Sequence, residues 1–178
     1  MKTIVLVTGI IMAGLMQGCA TNLSKPAAAP QPASVRLGTF ANVELQPVTI
    51  AEPFSAAGAN QKAARKINEL LMNQMAYVFP GLNAAEKKNG GTLVIKPLIK
   101  EIKFIGGAAR FWVGAMAGSS AVLMEVTYLE KETGAVVARG EFYDQASAYA
   151  GGYNMGATDN LMLNNIVSQI VNYSSANR

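Results

Sequence analysis

The chain has 178 residues, of which 51% are hydrophobic, and carries 15 Lys and Arg against 11 Asp and Glu for a net charge of +4. So mild a positive balance does not mark a nucleic-acid binder, and the length suits one domain with a real core. There is no histidine and a single cysteine, which excludes histidine-based triads, most zinc sites and any internal disulfide.

Lys2 followed by the apolar run from Thr3 to Leu15 has the layout of a secretory signal, and that run is short for a bilayer span, which takes about 20 apolar residues. Leu15-Met16-Gln17-Gly18-Cys19 closes it. This closing run resembles the lipobox of bacterial lipoproteins, in which cleavage falls between the small residue, here Gly18, and the cysteine that takes the acyl chains, here Cys19. The resemblance implies a signal peptide over 1–18 and palmitate-type acylation of Cys19. With Ala20 rather than aspartate next, it also implies transport to the outer membrane, with the domain facing the periplasm. Cleavage would remove Lys2 and lower the net charge to +3. Two or more acyl chains hold a protein on a membrane without any transmembrane helix.

Residues 19–34 are expected to be the lipidated cysteine and a Pro/Ala-rich tether. Pro26, Pro30 and Pro32 favour extended backbone, which at about 3.1 Å per residue reaches roughly 45 Å. Residues 35–178 then form one periplasmic domain. Val43 to Gln46 alternates apolar and polar before Pro47 and is expected to be an edge strand. Ala64, Ile67, Leu71, Met75 and Val78 recur at helical spacing from Asn60 until Pro80-Gly81. After the Asn89-Gly90-Gly91 turn, Leu93 to Ile105 reads as strand, with a phase slip near Lys100-Glu101 that a bulge would absorb.

Val122, Met124, Val126 and Tyr128 share one face of a further strand. Lys131-Glu132-Thr133-Gly134 is the turn, and Val136, Ala138 and Phe142 are expected on the inner face of the return. A closing helix is expected to be capped by Thr158 or Asp159 and to bury Leu163, Ile166, Val167, Ile170 and Tyr173. The order β, α, β, β, β, α predicts an α+β fold, a small mostly antiparallel sheet with two helices packed on one face.

Arg110 to Ala121, Glu132 to Ala138 and Gly156-Ala157-Thr158-Asp159-Asn160 together resemble a proteobacterial lipoprotein family known as domain of unknown function 4410, over roughly residues 36–175. These motifs are glycine, hairpin and helix-start features and imply no activity. The architecture also looks like that of small periplasmic lipoprotein domains that activate envelope enzymes or assemble secretion pores, a likeness of fold alone.

Two regions invite functional readings. Residues 105–124 hold one charge and a Gly114-xxx-Gly118 spacing, the pattern of an associating membrane helix. The alternative is a glycine-rich loop entering the strand at Ala121, favoured because Arg110 is costly in lipid and the β pattern begins before the span ends. Phe111, Trp112, Tyr149, Tyr153 and Asn154 form an aromatic and amide cluster on expected loops, a binding patch for protein or carbohydrate. Glu125 and Glu141 could meet across the hairpin as a carboxylate pair, although outward strand positions more often carry solvated charge. Lys87, Lys88, Lys96, Lys100 and Lys103 form a modest basic region.

No spacing marks a nucleophile, a phosphate loop, a metal site or a cofactor, and the chain is expected not to be an enzyme. Its expected role is that of an outer-membrane-anchored adaptor or binding domain for an envelope protein or cell-wall polymer. The alternative is a subunit of an oligomeric membrane or secretion assembly that uses segment 105–124. Its partner and oligomeric state are not written in the sequence, and no nucleic-acid partner is expected.

Overall fold

The computed structural model describes residues 23, 25, 26, 28–104, 119–146 and 157–178. Among these residues, five strands and two long helices follow in the order β1 (Asn42–Leu45), β2 (Thr49–Ile50), α1 (Gly58–Val78), β3 (Thr92–Lys103), β4 (Ala121–Glu130), β5 (Val136–Gln145) and α2 (Ala157–Ala176). The sheet runs β1-β3-β4-β5, with β2 also pairing to β3. Antiparallel pairing joins β3 to β4 and β4 to β5, while β1 and β2 lie parallel to β3. The fold is therefore α+β, with a mostly antiparallel sheet. Its parallel pairs arise because α1 carries the chain back between β2 and β3.

Helix α1 forms where the apolar period is 3.6 and buries Ala63, Ala64, Ile67, Leu71, Met75 and Val78. Each large side chain taken fully out of water contributes about 1.5–3 kcal/mol. Phe79 donates its N–H to the Met75 carbonyl at 2.8 Å, and Gly81 then turns the chain at φ 86°. Helix α2 buries Met162, Leu163, Ile166, Val167 and Ile170 against the same core. Its first turn includes Asp159. Thr158 and Asp159 therefore lie inside the helix, which starts at Ala157, and not at its cap.

Leu93, Ile95 and Ile99 of β3 point into the core. A register shift between Ile99 and Glu101 leaves Lys100 as the extra residue, and Ile102, 2% exposed, returns to the inner face opposite Val122. Without that bulge every later side chain of β3 would face the wrong way. Proline sits badly in a central strand, yet Pro97 is one. Ile95 and Ile99 accept backbone hydrogen bonds from Gln46 and Ala51, and by strand alternation the Pro97 nitrogen faces that same side. There the edge strand is itself interrupted, at Pro47 between β1 and β2, so β3 loses no bond to β4.

In the hairpin, Val122, Met124, Val126 and Tyr128 are fully buried, and Gly134 takes φ 72°. The return strand differs from expectation at its start. A second bulge pairs Leu129 with Val136 and Tyr128 with Ala138. This leaves Val136 50% exposed and puts Val137 in the core instead.

Candidate functional site

On the sheet face away from the helices, β3, β4 and β5 present a row of charge. Glu125 and Glu141 are direct cross-strand partners, so the carboxylates do come together. Each is engaged by a cation: Lys100 Nζ lies 2.5 Å from Glu141 Oε1, and Arg139 Nε 3.8 Å from Glu125 Oε1. The Lys100 bulge is what aims this lysine across two strands. Its hydrogen bond to Glu141 raises the ammonium pKa above the ordinary lysine value, with Glu125 and Glu101 adding to the effect. Held by these two cations, the carboxylate pair ties the three strands together across the face.

A second ion-pair cluster closes the opposite edge. Glu44 of β1 meets Lys131 Nζ at 2.9 Å and Lys87 Nζ at 3.1 Å. Hydrogen bonds from these lysines, Lys131 first, hold the Glu44 carboxyl below its usual range. Lys87 and Lys100, which were expected to belong to a basic region, are thus balanced by glutamates.

Side chains and loops also guard both sheet edges. On β1, Asn83 accepts from Leu45 N–H at 2.8 Å, donates back to the Leu45 carbonyl, and gives its own backbone N–H to Val43 O. Asn68 of α1 accepts from Val48 N–H. On β5, Gln169 of α2 donates to the Tyr143 carbonyl and Ser34 donates both N–H and hydroxyl to the Val137 carbonyl.

Ser34 belongs to the stretch expected to act as a tether, and it does not contact the domain alone. Ala33 N–H donates to Asn177 Oδ1 at 2.7 Å, and Tyr173 donates its hydroxyl to the Gln31 carbonyl at 2.7 Å. Pro30 lies over Gly140, and the Lys25 ammonium sits 5.5 Å from the Tyr143 ring centre. The segment therefore crosses the edge of β5 as a strap. Its proline content reads as extended chain in the sequence, and nothing in composition tells a docked extended segment from a free one.

Cys19, Gly18, Phe111, Trp112, Tyr149, Tyr153 and Asn154 lie outside the described residues. Of segment 105–124, residues 119–124 are described, and Ala121 to Met124 are strand. No helix among the described residues is long and apolar enough to cross a membrane.

An α+β domain of one layered core, with both sheet edges guarded and a proline-rich strap across β5, is the class of protein these features define. The chain belongs to the family described as "Domain of unknown function (DUF4410)", which matches residues 26–152. The fold is similar to that of PelC from Paraburkholderia phytofirmans, solved as a dodecamer. One structure aligns at TM-score 0.56 and 10% identity, covering 84% of this chain and 96% of that one. A second PelC dodecamer, of a point variant, aligns at 0.52 and 11%, covering 83% and 93%. A hypothetical protein from Chlamydia trachomatis aligns at 0.43 and 14%, covering 76% and 98%. No curated protein matches the chain at a significant level.

Proposed function

We propose that the protein is an outer-membrane lipoprotein, acylated at Cys19, that presents its domain in the periplasm as a non-catalytic adaptor for an envelope protein or cell-wall polymer. The observation that carries this reading is the lone cysteine placed behind an apolar leader and ahead of a proline-rich segment. The engagement of Glu125 and Glu141 in ion pairs and the absence of histidine favour binding over catalysis. Mass spectrometry of the mature N-terminus tests it: the proposal expects an acylated Cys19, and membrane fractionation expects Cys19→Ala to leave the membrane. A pull-down from intact envelopes, with Cys19→Ala as the unanchored control, then identifies the partner.

A second reading, a subunit of an oligomeric envelope assembly, draws on the fold shared with the PelC dodecamer. Light scattering of the acylated protein in detergent separates the two, since an adaptor runs as a monomer and an assembly subunit as a large, discrete oligomer.

A further inference from the structure

We infer that the strap fixes which end of the domain meets the lipid surface, so that the end bearing Lys103, Ala121 and Gln145 faces the membrane. This inference rests on acylation of Cys19 and adds to it an orientation that a free tether would not give.

The strap runs opposite to β5. Ser34 binds at Val137, Gln31 is held by Tyr173, Pro30 lies over Gly140 and Lys25 reaches Tyr143. Descending from residue 34 to residue 25, the chain thus advances along β5 toward its C-terminal end. That end is the edge of the sheet where Lys103, Ala121 and Gln145 stand in register. The hairpin turn at Lys131–Gly134 is at the other end, about 30 Å away for a strand of this length.

Only residues 20–24 then separate the lipidated Cys19 from Lys25. Fully extended they reach roughly 20 Å, less than half the reach of an undocked tether. A leash that short, leaving the domain from beside Tyr143, brings the near end of the sheet to the membrane and holds the hairpin turn away from it. Asn177 is the latch. It accepts Ala33 N–H through its side chain, accepts Leu37 N–H through its backbone carbonyl, and anchors its own amide on the Tyr173 carbonyl.

Acylation leaves no free thiol, so single cysteines can be labelled. Gln145→Cys and Ala135→Cys, both at exposed positions, place a fluorophore at the near and far ends. The acylated full chain is reconstituted in phosphatidylethanolamine and phosphatidylglycerol vesicles carrying a headgroup quencher. The inference expects several-fold stronger quenching at position 145 than at 135. It also expects that difference to collapse in Ser34→Pro/Asn177→Ala, with the protein still vesicle-bound and its circular dichroism unchanged. Equal quenching at the two positions in the intact strap overturns the orientation while leaving the anchor in place. Protein that does not stay on the vesicles overturns the anchor itself, and the orientation with it.

Discussion

The phenol oxygen of Tyr128 and Oγ of Ser174 lie 2.7 Å apart inside the core, joining β4 to α2. Ser174 spends its only proton on the Ile170 carbonyl at 2.9 Å, so Tyr128 is the donor. Burial pushes its pKa well above that of a free phenol and keeps it protonated. Tyr173 packs against its ring with centres 5.6 Å apart, and Phe142 in turn meets Tyr173 edge-on at 5.7 Å.

Tyr128→Phe removes one buried hydrogen bond while keeping the ring, and should cost about 1 kcal/mol. For a domain of this size that is a melting-temperature drop of about 2–4 °C. Tyr128→Ala also empties the ring's volume and should cost about 3–5 kcal/mol. Calorimetry of the two variants separates the polar contribution from the packing.

Glu44 makes stability depend on acid. Its folded-state pKa lies below the unfolded value of 4.5, so its contribution is present above that value and is lost as pH falls through the folded one. Urea titrations at descending pH should show wild type losing stability in that window more steeply than Glu44→Gln. The difference at neutral pH should stay below about 1 kcal/mol, because these ion pairs are half open to water.

Gly140 has no room for a side chain. A Cβ there would stand 2.8 Å from Phe142 Cζ and 3.1 Å from Pro30 Cβ. Gly140→Ala should cost about 1–3 kcal/mol through overpacking. It should also speed hydrogen exchange at Ala33 and Ser34, because the alanine pushes on the strap as well as on the ring.

Asn83 holds a left-handed backbone, φ 55°, while its side chain occupies the free edge of β1. Asn83→Gly keeps the conformation and loses the hydrogen bonds, at about 1 kcal/mol. Asn83→Ala loses both and should cost about 1 kcal/mol more. Denaturant midpoints should fall in the order Asn, Gly, Ala.

The two helices, the hairpin and the Lys100 bulge were legible because each rests on an apolar period long enough to be counted. Two-residue β2 carries no such period, and it formed in line with β1 only because β3 was there to receive it. Parallel pairing of β1 was invisible for the same reason: it is a property of the returning chain and not of Val43 to Leu45. The exchange of Val136 for Val137 in the core turned on a bulge between two adjacent valines, which are interchangeable to any hydropathy pattern. Lysines 87 and 100 looked like open basic surface because their glutamate partners, Glu44 and Glu141, are more than 40 residues distant in the chain. The docking of Gln31, Ala33 and Ser34 depended on Tyr173 and Asn177 at the far end of the chain.

Asn83, Asn68, Ser34 and Gln169 between them break the exposed margins of the sheet into short, interrupted stretches. Ladder extension from one molecule to the next is thereby discouraged at both sides. Any partner of the described part of the domain is thereby steered toward side chains on its broad surfaces, a mode of contact that can be specific and reversible where a shared sheet would be neither.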